Sequence, residues 1–344
     1  MKLGMPLSYA GGFKQAAEQV TALERAGLDM VWVAEAYGYD APSFMGYLAA
    51  VTDRVQIGAG ILPLYTRTPT LLAMTAAGID ALSDGRCVLG LGASGPQVIE
   101  GWHGVPYTAP IGRTREIIDI CRAVWRRERI TYDGRHYQLP LPPEQGTGLG
   151  KPLKLITRPV RDRIPIYVAS LGPKNVQMTA EVADGWLPFL FLPERAADVW
   201  GDDLAAGTAK RSPDLGPLEV VAAAMVAVGD DAAGFRDYAR PMLALYIGGM
   251  GARGRNFYND VACRYGFEAE AKEIQDLYLD GQKDEAARAV PAELLEAATI
   301  CGPEGYVRDR LAAHKAAGVT MLSATIIGPD VPAVAGQLKE WMAD

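Results

Sequence analysis

Cysteine and histidine are scarce in this chain, and their scarcity excludes several chemistries at once. The 344 residues include four cysteines, Cys87, Cys121, Cys263 and Cys301, widely spaced, each beside an apolar residue and none in a C-x-x-C pair. That pattern reads as buried, reduced thiols of a cytoplasmic protein, not as a disulfide framework. Three histidines, His103, His136 and His314, stand at no metal-ligand spacing, so no metal site is expected. No apolar run approaches the ~20 residues that a membrane span needs. The early stretch "KLGMPLSY" looks like a strand and lacks the basic head and apolar core of a targeting segment. Positive charge is not in excess either: 34 Lys and Arg stand against 41 Asp and Glu, interspersed, for a net charge of −7. A nucleic-acid partner would call for a basic face to neutralise phosphates, and none is evident.

What the chain does have is apolar residues, 49% of the total, arranged in a repeating order. A short β-rich run is followed by a stretch with a helical apolar stripe, and the alternation then recurs. The runs are "KLGMPLS" (2–8), "DMVWVAEA" (29–36), "RVQIGAGILPL" (54–64), "RCVLGLGAS" (86–94), "IPIYVASLG" (164–172), "GWLPFLFL" (185–192), "LEVVAAAMVAVG" (218–229) and "VTMLSATIIG" (319–328). Most are nearly continuous in apolar residues, as strands buried on both faces should be. Helix signals separate them, among them Gly27 as a stop after "FKQAAEQVTALERAG" and Pro69 as an opening residue. Eight such units predict an α/β fold of the (β/α)8 TIM-barrel class, whose core takes about 250 residues. The runner-up is a doubly wound open sheet, which the same alternation permits. Two segments exceed the barrel's needs, about 129–163, Pro/Gly-rich and hairpin-like, and about 235–300, with several extra helices. No linker divides the chain, so one domain with insertions over 1–344 is expected.

The stretch "GLGASGPQVIEGWHG" (90–104) contains the G-x-G-x-x-G of many dinucleotide-binding helices, in Gly90, Gly92 and Gly95. Its context is wrong for that role. A dinucleotide fold carries the fingerprint after its first strand and an acid at the end of the next strand, about 20 residues on. Here it ends the fourth run, and "IGRTREIIDI" follows at that distance as a helix. A second stretch shares its design: "GASGPQV" (92–98) and "ASLGPKNV" (169–176) both run from a strand end through small residues and Gly-Pro into a helix. Small residues admit a ligand to the bare backbone, and the helix start suits an anion such as a phosphate. Tight βα turns alone would explain either stretch by itself.

Together with "GAGILPLYTRTP", "ALSDGR", "YVASLGPKNVQMTAEVADGWLP" and "GPEGYVRDRLAAHKAAGV", these stretches resemble the luciferase-like oxidoreductases, and most of all the branch dependent on the deazaflavin coenzyme F420. The resemblance runs almost end to end. It implies a bacterial luciferase-like barrel, a homodimer, and a coenzyme held at the C-terminal mouth. It further implies a non-prolyl cis peptide, mapped to Gly60–Ile61, against the deazaflavin ring. Gly92, Ala93, Ser94, Gly95 and Gln97 would line the coenzyme's ribityl and phosphate side. Ala169, Ser170, Leu171, Gly172 and Pro173, with Lys174 as a point charge, would bind its phosphate. Glu35 matches an acid that contacts the deazaflavin in relatives, and an exposed strand-end carboxylate is the plain alternative.

The proton donor or acceptor is sought among Glu35, Tyr9 and His103, and the substrate contacts among Tyr37, Tyr65 and Arg67. Histidine titrates near neutral pH, while tyrosines at strand ends are also common packing residues. Some relatives carry a glutamate near the first strand's end, where this chain has Pro6, Ser8 and Tyr9 in "MPLSYAGG". That departure speaks against the one-carbon and sugar-phosphate substrates of those relatives. The function expected is hydride transfer between F420 and a C=C, C=N, C=O or alcohol group of a small molecule, the hard chemistry being the cofactor's. Two alternatives stay open: an FMN-dependent monooxygenase on the same barrel, and a coenzyme-binding protein without catalysis. Neither a membrane nor a nucleic-acid role is expected.

Overall fold

The computed structural model describes residues 1–7 and 11–343. β1 (Lys2–Leu7) leads to α1 (Phe13–Arg25), and β2 (Met30–Val33) leads to α2 (Ala41–Val51). β3 (Gln56–Ala59), with the short β4 (Leu62–Pro63), precedes α3 (Pro69–Leu82). β5 (Cys87–Gly92) is followed by α4 (Pro96–Gly101), α5 (Pro110–Trp125) and a hairpin of β6 (Tyr132–Asp133) and β7 (Gln138–Leu139). β8 (Ile166–Ala169), α6 (Pro173–Val182), β9 (Gly185–Leu187), α7 (Ala196–Thr208) and β10 (Glu219–Val228) continue the alternation. Then come α8 (Arg240–Ala244), α9 (Phe257–Arg264), α10 (Glu268–Leu279), α11 (Lys283–Arg288) and α12 (Ala292–Ala297). β11 (Thr299–Gly302), α13 (Glu304–Ala316), β12 (Met321–Ile326) and α14 (Val331–Ala343) end the described chain.

The strands pair in parallel in the order β12, β1, β2, β3, β5, β8, β9, β10, and β10 pairs in turn with β12, so the sheet closes into a (β/α)8 barrel. Closure rules out the open doubly wound sheet. β4 prolongs the third position past a break and pairs with β5, Leu62 opposite Leu91. β11 runs outside the ring along the far end of β10, Met225 opposite Thr299. Among the described residues no helix is long and apolar enough to cross a membrane.

Local chemistry explains where the elements start and stop. Asp40 caps α2 by accepting from the Ser43 amide at 3.1 Å, and the Thr68 hydroxyl accepts from Leu71 at the start of α3, with Pro69 in its first turn. Gly27 takes the left-handed conformation, φ 99°, that ends α1. Strand residues such as Val31, Val33, Ile57, Leu89 and Val168 pack outward beneath the helices. Met30, Trp32, Val88, Tyr167, Val221 and Met321 form a separate buried cluster on the inward face. Each fully buried side chain of this kind contributes about 1.5–3 kcal/mol.

Two expectations need correction. "GWLPFLFL" is a strand only over Gly185–Leu187, because Pro188 cannot donate to a ladder; Leu190–Leu192 then pack with the later helices instead. β11 also lies outside the eight expected runs. It is a four-residue apolar stretch directly behind a helix, too short to stand out by periodicity.

Candidate functional site

The barrel is sealed from below and open above. The Trp32 ring packs against Tyr167 at 5.6 Å, within the inward-facing cluster. The Tyr167 hydroxyl donates to Glu219, which also accepts from Lys2 at 2.9 Å. Burial, with the Glu219 carboxylate beside it, pushes the Tyr167 phenol well above its ordinary range, so it stays protonated.

Above this plug the third position breaks at a cis peptide bond between Gly60 and Ile61, the bond expected from the sequence. The chain on either side of this bond crowds two of the three fingerprint glycines. A Cβ on Gly90 would lie 1.7 Å from the Ala59 carbonyl oxygen, and one on Gly92 would lie 2.8 Å from Ile61. Gly90 and Gly92 are thus demanded by the neighbouring strand. Ser94 follows in the left-handed conformation at φ 57°, its carbonyl accepting from the Tyr107 hydroxyl at 3.4 Å, before the six-residue α4.

The second Gly-Pro turn is held differently. The indole N–H of Trp186 donates to the Ser170 carbonyl at 2.9 Å, and that of Trp200 to the Leu171 carbonyl at 3.1 Å. The Ser170 hydroxyl turns away to Thr179, 2.8 Å off. Gly172 then opens the ten-residue α6 with no side-chain cap. Pro173 has no N–H and the Asn175 amide donates to the Gly172 carbonyl at 3.0 Å, so the Lys174 amide is the one left without an intrahelical acceptor at this positive pole of the helix. Lys174 is exposed beside it.

Glu35 and Arg67, expected to meet the coenzyme and the substrate, meet each other. The pair is bidentate, at 2.6 and 2.8 Å, and the second carboxylate oxygen also accepts from the Ala41 amide at 2.9 Å. Their side chains are 8% and 14% exposed, so the contact ties the end of β2 to the loop after β4 in little water. Tyr65 donates to the Thr108 carbonyl at 2.9 Å, and its ring lies 5.1 Å from Tyr107. Tyr65 and Arg67 line a cavity of about 410 Å³ with Val105, Thr108, Arg113 and Tyr137. Arg113 lies 5.8 Å from the Tyr65 ring and 5.3 Å from the Tyr137 ring. Tyr137 reaches that position because Glu116 of α5 accepts the Arg135, His136 and Tyr137 amides of the hairpin. Burial raises the Tyr65 and Tyr107 phenols, so both keep their protons at neutral pH.

Tyr37 is exposed, its ring 6.4 Å from the equally exposed Trp102. His103 is half-buried behind α4 and makes no side-chain hydrogen bond among the described residues. Tyr9 lies outside the described residues. Sequence reasoning missed Trp102, Tyr107, Arg113 and Tyr137, and also an aromatic trio: Phe189 lies 4.3 Å from Tyr246 and 4.9 Å from Tyr258. Asn256 builds that trio by capping α9, accepting from Tyr258 at 3.0 Å and donating to the Tyr246 carbonyl at 3.0 Å. An asparagine just before an apolar helical run was the available signal. The neighbouring Phe257 brings the inserted helices to within 3.8 Å of where a Cβ on Gly172 would stand.

Residues 1–321 match the family model described as luciferase-like monooxygenase. A protein of Mycobacterium tuberculosis, named as a candidate coenzyme F420-dependent oxidoreductase, is 46% identical over 331 residues, spanning 94% of this chain and 95% of the relative. The 5,10-methylenetetrahydromethanopterin reductase of Archaeoglobus fulgidus is 28% identical, covering 96% and 95% respectively. Among solved structures, the coenzyme F420 dependent tetrahydromethanopterin reductase of Methanopyrus kandleri superposes with a TM-score of 0.82 at 21% identity, over 99% of this chain and 98% of that one. At that identity the likeness is one of fold.

Proposed function

Because the chain belongs to the luciferase-like monooxygenase family, we propose that it is an oxidoreductase moving a hydride between the deazaflavin coenzyme F420 and an organic substrate. The observation that carries this reading is the 46% identity, along nearly the whole length, to a relative whose name gives F420 as its coenzyme. The residues present fit such a group. A flat ring needs an uncharged floor and walls of small residues, and the Trp32–Tyr167 plug lies beneath Gly60, Gly92 and Ala169. A phosphate needs an unpaired amide, and at the uncapped start of α6 the Lys174 amide has no intrahelical acceptor. Gly60, Ile61, Gly92, Ala93, Ser94, Gly95 and Gln97 would flank the ring and its ribityl side, and Ala169–Lys174 the phosphate. When bound, the coenzyme supplies a hydride carrier at its ring carbon C5.

The chain's own residues then do four things. The buried Trp32–Tyr167 cluster supports the coenzyme ring from beneath. The two tryptophan indoles fix the Ser170–Leu171 carbonyls so that the following amides face the mouth. The Glu35–Arg67 pair fixes the loop after β4. His103 and Tyr9 are the groups offered for the proton, His103 because an imidazole can change charge near neutral pH. A second copy of the chain is the proposed partner, seated on α2 and α3. Their only charged residue, Asp80, is buried, while Tyr47, Leu71, Met74 and Leu82 are exposed. Met74→Glu should turn a dimer into monomers in sedimentation.

The test is spectroscopic and anaerobic. Mixed with a panel of ketones and enones, the enzyme should consume reduced F420 without oxygen. Turnover that needs FMN and oxygen would replace the reading with a monooxygenase. Tight coenzyme binding with no turnover anywhere would leave a binding protein.

A further inference from the structure

Among the described residues, the inward strand positions of the mouth carry no charged side chain. Above the plug, the inward strand positions are Gly60, Gly92, Ala169, Leu187, Ala223 and Thr325. Ala223 and Thr325 are exposed, although their strand neighbours Ala222, Ala224 and Ala324 are buried under the outer helices, so solvent reaches the barrel's inner face from above. At the end of β2 and in the loop after β4, Glu35 and Arg67 satisfy each other at 2.6 and 2.8 Å. Arg113 has no carboxylate partner among the described residues, but it sits on α5 outside the barrel, beside Tyr65 and Tyr137 and donating to the Thr108 carbonyl at 3.0 Å. Around the rim large rings stand in water instead: Tyr37 is 67% exposed, Trp102 68% and Phe257 60%.

An apolar rim above an uncharged wall is what a ligand without charge requires. An acid carried into it would lose hydration and, among the described residues, find no cation on the inward strand positions in return, Arg113 being on the outer helix α5. Resting on the coenzyme reading above, we infer that the mouth selects an uncharged, largely apolar carbonyl, alkene or alcohol compound and rejects acid-bearing analogues. The Glu35–Arg67 pair sets that selectivity, since either partner alone would place a charge on the wall.

The test uses a matched pair of probes, 2-acetylnaphthalene and 6-acetyl-2-naphthoic acid, titrated calorimetrically into protein already loaded with oxidised F420. The neutral ketone should bind at least ~tenfold more tightly than the acid. Glu35→Gln, which leaves Arg67 unpaired, should bring the two to within about threefold, or invert them. Because Glu35 also holds the Ala41 amide, Thr325→Lys serves as a second variant. It adds an ammonium to the inner wall at a side chain with no hydrogen bond among the described residues, and should favour the acid likewise. Binding of the acid to the unaltered protein within ~tenfold of the ketone, or more tightly, overturns the inference, as does failure of the ketone to bind, whereas an acid that does not bind while the ketone does supports it. Selectivity unmoved by both variants overturns the role given to charge. Loss of F420 loading itself would instead strike at the coenzyme reading, and the loading step reports that separately.

Discussion

The two Gly-Pro turns at the barrel's mouth look alike in sequence and are held by different forces. At the end of β5 the glycines answer to the neighbouring strand, Gly90 lying so close to the Ala59 carbonyl that a Cβ would stand 1.7 Å from it. At the end of β8 no such crowding exists: a Cβ on Gly172 would have its nearest contact at 3.8 Å, with Phe257. There the turn is shaped by two indoles donating to consecutive carbonyls, and it opens a ten-residue helix where its counterpart opens a six-residue one. A shared motif therefore marks a shared location, a strand end at the mouth, without marking a shared job. The first turn is a packing solution against the neighbouring strand, and the second is a backbone held by two indoles, the turn proposed above for the phosphate.

The comparison can be broken most sharply at Gly90. Gly90→Ala meets backbone on the opposing strand, which cannot rotate away. It should cost about 3 kcal/mol or more, or prevent folding, in chemical denaturation. A loss below about 1 kcal/mol would show that the β3–β5 contact yields. Trp200→Phe comes next, because it strands the Leu171 carbonyl while keeping an aromatic ring in the core. A cost of about 1–3 kcal/mol is expected, with coenzyme affinity falling several-fold. Unchanged affinity would mean that the indoles support the fold but not the turn. The smallest effect belongs to Gly172→Ala. Its φ of −74° suits any residue and the space is open, so stability should move by less than about 0.5 kcal/mol. A large loss there would erase the contrast between the two turns.

Much of the fold was legible because it is written in local pattern. The strand–helix alternation, the Pro69 start and the Gly27 stop follow from adjacent residues, whereas the cis bond at Gly60–Ile61 was implied by the family resemblance. What stayed hidden depends on partners distant in sequence. Nothing near Glu35 announces that Arg67, 32 residues on, will take both its oxygens. Likewise, nothing near Ser170 and Leu171 points to Trp186 and Trp200 as the donors that hold their carbonyls. Tyr37 and Tyr65 were legible as strand-end rings, but their neighbours Trp102 and Tyr107 sit in a loop without periodicity. The run after β9 misled because its composition is that of a strand, and a single proline, Pro188, removed it from the sheet.

The measurement that bears most directly on the central claim is a pair of titrations of the purified apo-protein, one with oxidised F420 and one with FMN, each followed by ligand fluorescence. The account predicts micromolar or tighter binding of F420 and at least ~tenfold weaker binding of FMN. Preferential binding of FMN would contradict it, and the mouth would then have to be understood as the site of an oxygen-dependent flavin enzyme.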